Sequence, residues 1–332
     1  MMNIDNLKLF LGIDGGQSHT EAVIANVAGE ILGTGLGGAL DHGNLSGGRE
    51  KLETAVRESV NNALQNAKLP NLDHTSFTSA HCGLSGGADY KEEIIRQIIT
   101  AENLTVGNDA LTALYAATGG KPGIVVIAGT GSIVFGINQK GKTARSGGLG
   151  FMFSDEGSGF WLAAEIIKLA IKEQDGVITN QGLRKLVLDF FNVGEIRELT
   201  NAFYNNQISR DRIAGFSKVI AEKAESGNRT LEDVIKRGAK CLVENVKGAA
   251  DKLEFESGFA VCAVGGMFRG ELLKRFFVKI LRNKVPNAIF TEPEFPPPIG
   301  ALLLAFQNSN VRINKQLLSN LKTTYDSKDS PR

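Results

Sequence analysis

The chain has 332 residues, 42% hydrophobic and 22% charged, with 37 lysines and arginines against 36 aspartates and glutamates. This is a globular composition with room for two domain cores, and a net charge of +1 leaves no basic excess, so a nucleic-acid partner is excluded from expectation. No apolar run approaches the roughly 18 residues of a membrane span, and Cys82, Cys241 and Cys262 have no metal-ligand spacing and no even pairing, so the expectation is a cytoplasmic protein with reduced thiols, no disulfide and no membrane partner.

The amino terminus runs directly into LFLGIDGGQSHTEAVIANVAGEILG, two alternating apolar runs interrupted by Asp14, Gly15, Gly16, Gln17 and Ser18. The pattern predicts a β-hairpin followed by a second turn at Ala28-Gly29-Glu30 and a third short strand. A glycine turn lets backbone approach an anion, and its successive N–H groups with nearby hydroxyls make a concavity for phosphate. After a loop at 43–48, REKLETAVRESVNNALQNA carries helical apolar spacing at Leu52, Val56, Val60 and Leu64. TSFTSAHCGLSGG reads as a buried strand, YKEEIIRQIITAE as a helix, and NLTVGNDALTALYAAT as a strand meeting a helix at Asn108-Asp109, which is βαβ logic and an α/β fold class. Gly119-Gly120-Lys121-Pro122-Gly123 is the clearest linker and sets a first lobe of residues 1–118 and a second of 119–332, whose final helix is expected to pack back on the first.

The second lobe opens with GIVVIAGTGSIVFGINQKGK, where Gly129, Thr130, Gly131 and Ser132 repeat the glycine-and-hydroxyl hairpin 115 positions after Gly15. The repeat of strand, turn, strand, turn, strand implies two similar lobes, and two such turns could grip one polyphosphate. Residues 155–250 read as mostly helical, broken near Asp175-Gly176, Gly194 and Ser226-Gly227-Asn228. FAVCAVGGMFRGELLKRFF reads as a strand opening through glycines into a helix, and PEFPPPIGALLLAFQ as a proline-led apolar helix before a frayed polar tail after Ser319.

Gly136 with Gly141-Lys142-Thr143 matches a P-loop literally. That motif needs a helix after the lysine so that its amino terminus meets the phosphate. Here Ala-Arg-Ser-Gly-Gly-Leu-Gly follows, so the expectation is a hairpin turn over Asn138–Lys142. Asp109 has two readings: a helix N-cap, or a general base at the carboxyl end of an interior strand, where open α/β sheets bind ligands. Asp155, after the glycine-rich apolar segment GGLGFMF, poses the same choice and tips toward a substrate-facing role. The four histidines are scattered without a nucleophile and read as structural or solvated.

Taken together, IDGGQSHT at 13–20, GLSGG at 83–87, ND at 108–109, IAGTGSI at 127–133, GGLGFMFSDEGSGFW at 147–161, VGGMFRG at 264–270 and PIGALLLA at 298–305 resemble the BadF/BadG/BcrA/BcrD ATPase family, and within it the N-acetylglucosamine kinases. The resemblance implies a two-lobed actin-like ATPase (ribonuclease H-like) fold with ATP and substrate in the interlobe cleft, magnesium at Asp14, and a homodimer. It implies that Asp14 to Ser18 and Gly129 to Ser132 hold phosphates, that Gly265, Gly266 and Gly270 face the adenosine, and that Asp109 is the base. The amino sugar, phosphorylated on its 6-hydroxyl, would lie against Asp41, Asn44, Ser132, Gly148, Leu149, Gly150 and Asp155. Two positions depart from the kinase pattern: Ser154 stands where a glycine is usual, and Asp41-His42 followed by Asn44 where an Asn-His pair is usual. A carboxylate at 41 favours an amino cation, which brings in glucosamine as a rival substrate. The same superfamily holds regulators with a cysteine-bound iron–sulfur cluster, but this chain lacks the Cys-x-Ala-Gly-Thr-Gly context.

Overall fold

The computed structural model describes residues 8–16, 19–40, 48–85 and 89–327, and the chain divides into two compact units, residues 1–121 with 292–332 and residues 122–291. In the first unit β1 (Leu9–Gly15), β2 (Thr20–Asn26) and β3 (Ile31–Gly37) form an antiparallel meander. β4 (Phe77–Leu84) and β5 (Ala101–Asn108) extend it in parallel on the far side of β1, giving the order β3-β2-β1-β4-β5. β1 is apolar without alternation because both of its faces are covered. Leu9, Leu11 and Ile13 share a core with Leu52, Val56 and Val60 of α1 (Gly48–Asn66) and with Ile94 and Ile95 of α2 (Asp89–Ile98). Phe10 points the other way, into a core with α3 (Asp109–Thr118) and α10 (Pro297–Asn308), its ring centroid 4.5 Å from that of Phe306.

β3 has no bulky side chain on the face that meets α1. A Cβ placed on Gly33, Gly35 or Gly37 would fall 2.1, 2.2 and 2.1 Å from the carbonyl oxygens of Ala63, Ser59 and Ala55, so helix backbone rests directly on strand backbone. On the opposite face α10 is buried on every side from Pro298 to Phe306, as its sequence ALLLAF requires. Residues 292–332 therefore group with the first unit, and the second unit is shorter than the 119–332 read from the sequence. The tail expected to fray after Ser319 is instead part of α11 (Lys315–Ser327). Leu317 and Leu321 bury one stripe of it, and the Tyr325 hydroxyl donates to Glu21 Oε1 at 2.9 Å. Helical i, i+4 spacing of these three residues, overlooked in a polar segment, is the reason.

The second unit repeats the plan. β6 (Gly123–Ala128), β7 (Ser132–Ile137) and β8 (Thr143–Gly147) form a meander, and β9 (Phe259–Val264) and β10 (Ala288–Thr291) add in parallel beyond β6. The order β10-β9-β6-β7-β8, read from its other edge, is the arrangement of the first sheet. Five helices lie between β8 and β9: α4 (Gly159–Gln174), α5 (Leu183–Phe191), α6 (Ile196–Tyr204), α7 (Arg210–Glu225) and α8 (Arg229–Leu253). α9 (Glu271–Lys284) joins β9 to β10. Ser158, Ser209 and Asn228 cap α4, α7 and α8 by accepting the amide three residues on, which fixes the predicted helix starts. Among the described residues no helix is long and apolar enough to cross a membrane, and all three cysteines are free thiols.

Candidate functional site

In the first unit the carboxyl ends of the parallel strands β1, β4 and β5 fall in one row. Gly15 pairs with Leu84 and Leu84 with Asn108, so Asp14, Ser85 and Asp109 stand at neighbouring strand ends. Gly15 is closely covered, because a Cβ there would lie 2.5 Å from Leu40 Cδ1 and 2.7 Å from Leu84 Cδ2 and would make these leucine side chains shift. The Gly15 carbonyl accepts the Ser85 amide at 2.9 Å, and the Gly16 amide donates to His19 O at 3.0 Å. Gln17 and Ser18, expected at the phosphates, and Asp41 and Asn44, expected at the sugar, lie outside the described residues.

The N-cap of α3 is Asn108, whose side chain accepts the Leu111 amide at 2.9 Å. Asp109 is therefore not needed as a cap, and of its two readings the capping one is removed. Burial raises the Asp109 carboxyl above its ordinary 3.8, against which its own amide, that of Ala110, and the Lys91 ammonium act. Asp14, opposite Glu21 in the β1–β2 register, is pushed up to about 7, first by burial, then by the negative charges of Asp109 and Glu21. A buried carboxyl raised by neighbouring negative charge, as Asp14 is by Asp109 and Glu21, suits a hard divalent cation. Among the described residues no cluster of three or more metal-ligating side chains occurs, so magnesium held by Asp14 would draw its remaining ligands from water and phosphate, as Mg²⁺ commonly does.

This makes a pH prediction. Asp14 in the folded chain holds a proton that the unfolded chain, at 3.8, has released, so stability falls as pH rises from about 4 to 7 and the cost is fully present above 7. Asp14→Asn removes the titration. Without metal or nucleotide, the variant is expected to gain on the wild type by roughly 3 kcal/mol between pH 4 and pH 8. Urea unfolding of both proteins across this range measures it, and parallel curves would refute it.

In the second unit the turn between β6 and β7 carries Gly129, Thr130 and Gly131. The Gly129 amide is used by Gly131 O at 2.9 Å, and the amides of Gly159 and Phe160, at the start of α4, donate to the carbonyls of Gly129 and Thr130 at 2.8 and 3.2 Å. The amides of Thr130 and Gly131 have no acceptor among the described residues. Thr130 Oγ1 donates to Asp211 Oδ1 at 2.6 Å, which ties the turn to α7. Asp211 was missed in the sequence because an acid in a first helical turn looks like a simple complement to the helix dipole.

Ser132 is buried and donates its hydroxyl to Glu156 O at 2.8 Å, and Asp155, 6% exposed, accepts the Gly150 amide at 3.2 Å. Burial raises the Asp155 carboxyl, and the amides of Gly150 and Ser132 and the charge of Arg210 oppose the rise. Asp155 thus ties the segment 148–155 back on itself at Gly150, and Ser132 holds the carbonyl of Glu156 that follows it. Gly148 and Gly150 have φ of +70° and +101°, and between and beside them Leu149, Met152 and Phe153 are exposed. At the end of β9, Gly265 has φ of +103° and a Cβ on it would meet Ala128 O at 2.4 Å. Gly266 and Gly270 line a cavity of about 370 Å³ with Met267, Arg269, Ser217 and Lys218, the last two from α7 and not foreseen.

The P-loop match is a hairpin turn, as its context required: the Asn138 side chain accepts the amides of Lys140 and Lys142 at 2.9 Å each, and β8 follows rather than a helix. Lys142 Nζ lies 3.5 Å from Glu254 Oε2. Lys142→Ala is expected to leave the thermal stabilisation by ATP unchanged, and its loss in a melting experiment would restore the rejected motif.

The family model of the BadF/BadG/BcrA/BcrD ATPases matches residues 11–305. The chain belongs to this family. Among its relatives, the N-acetylmuramic acid/N-acetylglucosamine kinase of Clostridium acetobutylicum is 28% identical over 90% of this chain and 98% of its own length. The glucosamine kinase GspK of Vibrio cholerae is 32% identical over 70% of this chain and 77% of its own. The solved structure of a Chromobacterium violaceum protein, proposed to be an N-acetylglucosamine kinase, is 26% identical with a TM-score of 0.74, covering 90% of this chain and 99% of that one. This BadF-type chain accordingly has the actin-like ATPase and sugar-kinase fold.

Proposed function

We propose that the chain is an ATP-dependent amino-sugar kinase that transfers the γ-phosphoryl group to the 6-hydroxyl of N-acetylglucosamine. The observation that carries the reading is Asp109: a carboxylate at the end of β5, relieved of capping by Asn108, and aligned with Asp14 by strand register. The names of the relatives support the substrate class.

In this reading Asp109 accepts the 6-hydroxyl proton as the sugar oxygen bonds to the γ-phosphorus and the bond from that phosphorus to the ADP oxygen breaks. The amides of Thr130 and Gly131 donate to phosphate oxygens, where charge accumulates in the transition state. Magnesium held through Asp14 would neutralise phosphate charge. The cavity beside Gly266 and Gly270 takes the adenosine, with Lys218 and Arg269 at its wall. Segment 148–153, organised by Asp155 and Ser132, faces the sugar.

The test is ATP consumption measured with and without N-acetylglucosamine, glucosamine, N-acetylmannosamine and N-acetylmuramic acid. A sugar-dependent rate highest with N-acetylglucosamine is the expected result; a preference for glucosamine would reassign the acceptor, consistent with the acid at position 41. Consumption indifferent to every sugar would replace the kinase by an ATP-hydrolysing regulator.

A further inference from the structure

The glycine turn between β6 and β7 is held by two different helices. Its backbone belongs to α4, whose first amides donate to the carbonyls of Gly129 and Thr130, while the Gly129 amide is spent on Gly131 O. Its one hydroxyl belongs to α7: Thr130 Oγ1 donates to Asp211 Oδ1 at 2.6 Å, the short distance a hydroxyl reaches with a carboxylate. A threonine hydroxyl has a single proton, so the group expected at the phosphate has already given it to Asp211. What the turn keeps for an anion is the pair of amides of Thr130 and Gly131.

Capping of α7 does not need Asp211, because Ser209 Oγ accepts the Arg212 amide at 3.1 Å. The flanking arginines are engaged elsewhere, Arg210 over the Phe151 ring at 4.8 Å from its centroid and Arg212 on Phe190 O at 2.9 Å. Further along the same helix Ser217 and Lys218 line the cavity beside Gly266 and Gly270. Six residues separate Asp211 from Ser217, about 9 Å along the axis. Between these two contacts the start of α4 is pressed on α7, since a Cβ on Gly159 would lie 3.2 Å from Gly129 O and from Ala214 O.

We propose that Asp211 is a positioning residue for the nucleotide: by holding the Thr130 hydroxyl it fixes the phosphate turn on α7, at a set distance from the adenosine cavity, and leaves the amides of Thr130 and Gly131 for the phosphates. The proposal rests on the nucleotide assignment of the kinase reading and not on the identity of the sugar.

The test is ATP binding by calorimetry, without sugar, in Asp211→Ala, Asp211→Asn, Thr130→Val and the double variant Asp211→Ala with Thr130→Val. Both changes at position 211 remove the charge, and with it any contribution to the helix dipole, but only asparagine keeps an acceptor for the Thr130 hydroxyl. Asp211 is exposed, so its loss strands no buried group and the variants are expected to fold. Asp211→Ala is expected to weaken ATP binding about tenfold and Asp211→Asn less than about threefold, with the double variant within about twofold of Asp211→Ala because both single changes break one bond. In turnover, KM for ATP rises in Asp211→Ala and KM for the sugar does not.

Unchanged or tighter ATP binding in Asp211→Ala, equal losses with alanine and asparagine, or additive losses in the double variant would each overturn the proposal, the last by returning the Thr130 hydroxyl to the phosphate. A wild type that binds ATP but consumes none with any sugar would remove the kinase reading alone, since binding still reports on Asp211. A wild type that does not bind ATP would remove the nucleotide assignment and this proposal with it.

Discussion

Asp109→Asn is expected to lower kcat by roughly 10² to 10⁴ while the affinities for ATP and sugar stay near those of the wild type, the usual scale of general-base loss. The amide keeps the shape of the carboxylate and a hydrogen bond to the hydroxyl, but it cannot take the proton. Asparagine is also as good an N-terminal helix residue as aspartate, and the cap of α3 is Asn108, which is untouched. Stability at neutral pH is therefore expected to hold or rise, because a buried carboxylate raised above its usual range is removed. Single-turnover rates, nucleotide titration and melting temperature together decide the case. Near-normal kcat with the preferred sugar would sink the assignment, whereas a loss confined to KM would make Asp109 a binding group.

The largest expected effect on folding belongs to Gly35→Ala, with a cost of about 3 kcal/mol or more, at or beyond the upper range for overpacking. The added methyl would sit 2.2 Å from Ser59 O and 2.3 Å from Ala63 N. Both atoms are helix backbone, so no rotamer change relieves the clash and the whole of α1 must lift from β3. That movement would also open the contacts at Gly33 and Gly37, which share the same stripe. Gly38→Ala is the control, because the nearest atom to a Cβ there is Glu58 Oε2 at 3.9 Å and the change is expected to cost under about 0.5 kcal/mol. Denaturant unfolding of the two variants measures the difference, and equal midpoints would mean that α1 does not rest on the strand as described.

The parts of this architecture that follow from local chemistry were legible in the sequence. The glycine turns after β1 and β6, the crossover through α1, the strand-to-helix step at Asn108-Asp109 and the hairpin hidden in a P-loop match all depend on neighbours within a few residues. What escaped was set by register and by distant packing. Lys91 in DYKEEIIRQI reads as one more charge on an amphipathic helix, and only the packing of α2 buries it with its ammonium on the Ser85 carbonyl. The cap was displaced by one residue because Asn108 and Asp109 are equally good caps in isolation. The apolar face of α10 announces burial but not which sheet it joins, so residues 292–332 could not be assigned to the first unit from composition.

That assignment bears on how the protein is made. A ribosome delivers residues 8–121 before the second unit, when α10, which packs on Phe10 and Gly12 of β1, has yet to be made. The 170 residues of the second unit, 122–291, must then emerge before α10 exists. At translation speeds of about 5–20 residues per second this interval is on the order of ten to thirty seconds. The second unit is continuous and can fold as it appears, while the first waits with an open apolar face. The newborn chain is thus expected to need protection of its first unit until α10 is synthesised.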